Sequence, residues 1–312
     1  MHKLLLFLFL GIEILFASGH IFVYHRFGDS KHASTNTTIK QLREQFEYFK
    51  THNYKVVKIS DMVTKIEKKE KIPDNWVALS IDDSYKSFYE NGFEVFKEYG
   101  YPFSLYVYVE ATNRHFRDFM TWDQVREISK YGELGLHSYG HPKLTKISLE
   151  EVKEDTQKGI KIFEKNLGFK PKSYAYPYGE YNKGVQASIK SLGFDYICNQ
   201  NSGAVASFSD KYDIDRIAIV GETNLKSLLK IKPLNVVWEE IKREKNTITH
   251  IKLKLPKKVK KGELYVSGYG WKRVKAKDSI LDMDLNYKLK LNRTRIIFRS
   301  YNNEHSSKIV VK

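Results

Sequence analysis

Trp76–Ser84 reads WVALSIDDS. An apolar run without alternation, ending in two aspartates, is the pattern of a strand covered on both faces, as strands of parallel sheets are. A helical pattern follows from Tyr85 to Tyr99, with Gly100 placed to close it. The same unit recurs in both directions. His20–His25 is a short apolar strand. Ile39–Thr51 is amphipathic, with Ile39, Leu42, Phe46 and Phe49 on one face. Val56–Ile59 reads as a strand and Asp61–Glu70 as a short helix. Further strands are expected at Phe103–Val109, Glu133–Leu136, Tyr174–Tyr176 and Tyr196–Cys198. Helices are expected at Trp122–Lys130 and Tyr181–Leu192, and from a Ser148/Glu151 capping box to about Asn166. Strand and helix alternate about seven times, which is the grammar of an α/β protein with a parallel sheet. Active sites of such folds lie at the C-terminal ends of the strands. His25, Asp82, Asp83, His137 and Tyr178 fall there.

The grammar changes after about Leu234. Thr247–Leu255 and Tyr287–Leu291 alternate, a Gly-Tyr-Gly turn interrupts Glu263–Lys277, and Arg295–Phe298 and Lys308–Lys312 follow. Period-two runs of this length predict a small antiparallel β-sandwich. Charge divides the chain in the same way. Residues 226–312 hold 23 Lys and Arg against 8 Asp and Glu, leaving 30 against 29 for the rest. An electrostatic partner is therefore sought at the basic segment, PKKVKK at 256–261 and WKRVKAK at 271–277. An anionic surface partner is the functional expectation there, with Tyr269 and Trp271 available to stack on sugar rings; a solvated sandwich face is the plainer one.

Met1–Gly19 has Lys3, an apolar stretch from Leu4 to Phe16 and small residues Ala17 and Gly19, the pattern of a secretory signal. A cleaved signal is expected, with an uncleaved anchor as the alternative. Either places the protein outside the cytoplasm: periplasmic, cell-surface or extracellular. Export makes nucleic acid an unexpected partner despite the net charge of +16. Three regions follow: signal peptide at 1–19, α/β domain at 20–234 and basic β-sandwich at 235–312. The single Cys198 excludes an intrachain disulfide and a cysteine-ligated zinc or iron–sulfur site. No oligomeric state is readable.

The strongest chemical signal is His137-Ser138-Tyr139-Gly140-His141. Two imidazoles four apart after a strand can face one metal ion, with an aspartate of the Asp82-Asp83 pair as third ligand. Adjacent residues at a strand end point in different directions, so one carboxylate can bind metal while its neighbour acts as general base. A His₂Asp set suits a catalytic divalent ion, zinc in the first place, which polarises a carbonyl and lowers the pKa of bound water. Taken singly, HxxxH is more often coincidence, and Asp-Asp more often a helix start; their co-occurrence at successive strand ends carries the reading.

Ser80-Ile81-Asp82-Asp83, HSYGH and Ala175-Tyr176-Pro177-Tyr178-Gly179 occur in an order that resembles polysaccharide deacetylases of the NodB-homology type (carbohydrate esterase family 4). The resemblance spans roughly residues 20–225. It implies a distorted (β/α) barrel of about seven strands and metal-dependent hydrolysis of N-acetyl groups from an amino-sugar polymer. It also implies Asp82 as general base and Asp83, His137 and His141 as metal ligands. The backbone N–H of Tyr178 becomes the oxyanion donor, with Tyr176 and Pro177 at the substrate pocket.

AYPYG and the opening VYHRF are similar to the branch that deacetylates poly-β-1,6-N-acetylglucosamine in biofilm export. That likeness makes His25 the candidate general acid, poly-N-acetylglucosamine the first-choice substrate and cell-wall peptidoglycan the second. Departures are Ser84 where a glycine is common, and Ala175 where many members have an arginine that orients the base. No late histidine is present near Ile217-Ala218-Ile219. Arg216, in IDRIAI, is the candidate to face the site in place of the missing arginine and is counted among substrate contacts. The alternative reading is a glycan-binding protein on the same fold with little or no turnover.

Overall fold

The computed structural model describes residues 18–312. The export segment expected at 1–19 lies outside them, except for Ser18 and Gly19. Gly19 already belongs to the fold: its N–H and carbonyl exchange hydrogen bonds of 2.9 and 2.8 Å with Val205.

Eight strands form one parallel sheet. They are β1 (His20–Tyr24), β2 (Lys55–Val57), β3 (Trp76–Ile81), β4 (Ser104–Val107), β5 (Glu133–Leu136), β6 (Ser173–Ala175), β7 (Tyr196–Cys198) and β8 (Ile217–Ala218). Seven run in the order β8-β1-β3-β4-β5-β6-β7, and β2 joins β3. Along β3, β1 pairs with every residue from Val77 to Ile81, while β2 takes Trp76–Ala78 and β4 takes Ser80 and Ile81 on the other edge. Among the described residues, no ladder pairs β7 with β8; β7 carries only the isolated bridge Cys198–Ile214 beyond its pairing with β6, so the sheet is an open half-barrel. Helices α1 (Ile39–Thr51), α2 (Ile59–Glu67), α3 (Phe93–Tyr99), α4 (Val109–Asn113), α5 (Trp122–Ile128), α6 (Leu149–Leu167), α7 (Lys183–Lys190) and α8 (Leu225–Leu228) occupy the connections. Strand β3 is buried from Val77 to Ile81, as its unbroken apolar run requires.

The expected helix over Tyr85–Tyr99 is split. A π-turn at Phe88–Gly92 precedes α3, which Gly100 closes with φ 63°. The wide turn brings Gly92 against the Phe27 ring, which sits 2.8 Å from where a Cβ would be.

The C-terminal strands are β9 (Lys232–Pro233), β10 (Val237–Glu244), β11 (Thr247–Lys254), β12 (Lys261–Val266), β13 (Gly270–Lys275), β14 (Ile280–Lys288), β15 (Arg293–Arg299) and β16 (Glu304–Val311). They form a sheet β9-β16-β15-β12-β13 and a sheet β10-β11-β14, antiparallel except for the β9–β16 pair. Ile251, Leu253 and Leu281 of one sheet share a core with Leu264, Ile296 and Phe298 of the other. Along β15, Thr294, Ile296 and Phe298 enter that core. Arg293, Arg295, Ile297 and Arg299 therefore take the opposite face. Strand β16 docks on the half-barrel, with the Ser307 hydroxyl donating to the Ser202 carbonyl at 2.9 Å.

Candidate active site

His137 follows β5 and is buried; His141 lies four residues on in an irregular loop, not a helix. Two devices shape that loop. The Asp155 carboxylate, from α6, accepts from the Tyr139 and Gly140 N–H groups at 3.0 and 2.7 Å. The Ser138 hydroxyl accepts from the His141 N–H at 2.8 Å. Ser138 and His141 both sit in the left-handed region, at φ 65° and 54°. Asp83, Ser84 and Tyr178 do too, at φ 73°, 56° and 59°. Non-glycine residues pay for this conformation, and such residues gather at functional sites. The value at Ser84 supplies the physical reason a glycine is common there: glycine adopts it without strain.

The His137 Nδ1–H donates to the Ala175 carbonyl at 2.8 Å, which leaves the Nε2 lone pair for the site. Both Nε2 atoms converge on Asp83 Oδ1, at 3.2 Å for His137 and 3.0 Å for His141. The three ligand atoms lie within 4.8 Å of one another. Asp83 Oδ1 and His141 Nε2 are buried without a hydrogen-bond partner. Orphaned lone pairs aimed at one point fit a divalent cation, and the donor set suits zinc. Burial alone would push the Asp83 carboxyl up, but the neighbouring His137 and His141 imidazoles hold it well below its ordinary 3.8. Burial depresses His137, yet Asp82 and Asp83 together raise it.

Asp82 turns the other way, is fully buried, and meets Arg216 in a two-pronged pair of 2.7 and 2.9 Å. Arg216 also donates to the Asn199 carbonyl at 2.9 Å and the Ser80 hydroxyl at 3.1 Å. Gln200 Nε2 donates to Asp82 Oδ2 at 3.2 Å. Burial pushes the Asp82 carboxyl up, and the Arg216 charge more than offsets it, so the group stays ionised below its ordinary range.

A cleft of about 450 Å³ opens over the Asp83–His137–His141 cluster, lined also by His25, Tyr178, Gln200 and Arg293, with Asp82 buried behind its wall. A larger one of about 1120 Å³ lies between α7 and the C-terminal strands, away from this chemistry. His25 Nδ1 is buried and unpartnered, and burial lowers the imidazole pKa against the pull of Asp83 and Asp82. The Tyr178 ring stands on His141 with centroids 4.5 Å apart.

Two expected substrate contacts are placed elsewhere. Arg216 is wholly buried and its guanidinium is occupied by Asp82, Ser80 and Asn199. Tyr176 is wholly buried and stacks on Tyr181, 4.6 Å between centroids. Pro177 is buried beside Tyr178. Sequence reasoning missed Gln200 and Arg293, which carry no motif and reach the site only through the fold.

A parallel half-barrel with an Asp–His–His cluster and a second aspartate at its strand ends carries the donor set of a metal-assisted hydrolase. Residues 69–197 match the family model described as polysaccharide deacetylase, and the chain carries that domain. The chain is similar to the poly-beta-1,6-N-acetyl-D-glucosamine N-deacetylase of Staphylococcus aureus, 26% identical over 211 residues, 64% of this chain and 72% of the relative. The Staphylococcus epidermidis protein of the same name is 25% identical over 216 residues, 65% and 74% of the two chains. Among solved structures, the Streptococcus pyogenes deacetylase PplD in complex with acetate superposes with TM-score 0.63 at 20% identity, covering 68% of this chain and 97% of that one. IcaB from Ammonifex degensii does so with TM-score 0.59 at 21% identity, covering 68% and 94%.

Proposed function

We propose that the protein removes N-acetyl groups from an N-acetylglucosamine polymer, with poly-β-1,6-N-acetylglucosamine as first-choice substrate. The carrying observation is the division of two adjacent carboxylates: Asp83 faces His137 and His141 in the cleft, while Asp82 is held ionised beneath them by Arg216. Asp83, His137 and His141 would hold a divalent ion, zinc by donor type. Such an ion polarises the amide carbonyl and lowers the pKa of water.

The chain's own groups then divide the proton work. Asp82 takes a proton from the attacking water, a role its ionised state permits. His25 delivers a proton to the leaving amine; the charges of Asp83 and Asp82 favour its protonated form against the cost of burial. The Tyr178 N–H donates to the carbonyl oxygen as charge builds there, worth a few kcal/mol in the transition state. Arg216 acts as a positioning residue, doing for Asp82 what the resemblance assigns to an arginine at position 175. That pairing favours turnover over the non-catalytic alternative.

We place the working site outside the cytoplasm on the strength of the export pattern at residues 1–19. The boundary between the half-barrel and the basic sandwich falls near Leu234. The test is acetate release from β-1,6-linked N-acetylglucosamine oligomers by chelated and zinc-reloaded protein. Zinc-restored release is expected; none from these oligomers, with release from peptidoglycan, would move the substrate to the cell wall.

A further inference from the structure

The cleft contains a guanidinium from the other domain. Arg293, the first residue of β15, lines the cavity that holds His25, Asp83 and Tyr178. Its Nη2 donates to Gln200 Oε1 at 2.9 Å, and its buried Nε has no hydrogen-bond partner. Among the described residues no carboxylate forms an ion pair with it, although Glu180 opposes its charge from further off. A charge of its own sign stands close by on Arg295, which donates to the Gln200 carbonyl at 3.1 Å on the same strand face. A guanidinium has five N–H donors and normally finds oxygens for them when desolvated. Asp83 and Asp82, the other carboxylates of the site, are engaged by the histidines and by Arg216.

We propose that Arg293 makes the C-terminal domain part of the substrate site, donating to hydroxyl and acetamido oxygens of the sugar next to the one being deacetylated. The inference rests on the deacetylase reading. It carries a specificity consequence that follows from the reaction itself. Hydrolysis converts a neutral acetamide into an amine that is protonated at neutral pH. An N-acetylated neighbour offers Arg293 a carbonyl oxygen; a deacetylated neighbour offers an ammonium of like charge. Two unit charges some 6 Å apart in a partly desolvated cleft repel enough to change binding by about tenfold. Arg293 therefore reads the state of the adjacent sugar and disfavours consecutive deacetylation.

The test compares a fully N-acetylated glucosamine oligomer with the same oligomer bearing one free amine beside the target sugar. Acetate release is measured for wild type, Arg293→Gln and Arg293→Lys. Binding of both oligomers is measured by calorimetry in an Asp82→Asn background, where turnover is not needed. The expected result is that wild type prefers the acetylated neighbour by about tenfold, Arg293→Lys keeps the preference and Arg293→Gln reduces it below about threefold. The proposal is overturned if wild type shows no preference or if Arg293→Gln retains it. It is also overturned if Arg293→Gln weakens both oligomers equally, which is what support of Gln200 and Asp82 alone would produce. Selective binding without acetate release by wild type would instead sink the deacetylase reading and leave the Arg293 contact standing.

Discussion

The half-barrel and the C-terminal sandwich handle charge in opposite ways. The half-barrel buries its important charges and neutralises them locally: Asp82 against Arg216, Asp83 against His137 and His141. The sandwich leaves its excess of lysine and arginine mostly in water, as on β13, where Trp271, Lys272, Arg273 and Lys275 are all exposed. A buried pair is costly to break because the remaining partner has no solvent to return to. An exposed charge interacts weakly and is screened by salt. Some sandwich charges depart from this: Lys308 pairs with Asp213 of the half-barrel, Arg295 donates to the Gln200 carbonyl, and Arg293 lines the half-barrel's cleft, the placement that marks it for function.

Arg216→Met should break the contrast most severely. It strands Asp82 in the interior and should cost about 3–5 kcal/mol of stability, read from denaturant midpoints. In protein that still folds, the Asp82 carboxyl loses the charge that holds it low. The acid limb of the activity profile should then move to higher pH. Asp155→Ala should come next. It removes the acceptor shared by the Tyr139 and Gly140 N–H groups and should cost about 1.5–3 kcal/mol, since water in the partly exposed loop can take over part of the bonding. The loosened HSYGH loop should also lower zinc affinity, measured by competition with a chelator. A smaller effect is expected from acid alone. Asp82 has a depressed folded-state pKa, so its contribution is fully present above the ordinary 3.8 and disappears as pH falls below it. Thermal melts should therefore begin to decline below about pH 6.5, where the buried neutral His20, His25 and His305 resist the proton that the unfolded chain takes up, and decline further through the carboxylate range. The smallest change is expected in the sandwich: Lys272→Gln with Arg273→Gln should leave stability within about 0.5 kcal/mol. A large loss there would mean that these charges are structural and would erase the contrast.

The local parts of this arrangement were legible in the sequence. The unbroken run Trp76–Ile81 announced a strand buried on both faces, and Ser148 with Glu151 announced the start of α6, which runs from Leu149 with both halves of the capping box formed. HSYGH was legible because its two histidines are close in sequence and converge on the same carboxylate. The hidden parts depend on contacts across the fold. Arg216 lies 134 positions from Asp82, and nothing in IDRIAI distinguishes a base-holding arginine from a substrate-facing one. Gln200 and Arg293 come from a strand end and from another domain. Tyr176 reads as a pocket residue from its motif, yet, just past the end of β6, it is buried and stacks on Tyr181. Strand β10, VWEEIKRE, is so charged and so exposed that it lacks the apolar alternation by which strands are recognised.

The most direct test compares Asp82→Asn with Asp83→Asn, measuring zinc stoichiometry and acetate release on the same preparations. Both variants should lose acetate release by about a hundredfold or more, the range for losing a general base. Only Asp83→Asn should lose zinc. Loss of zinc in Asp82→Asn, or retained acetate release by it, would contradict the division of labour between the two carboxylates.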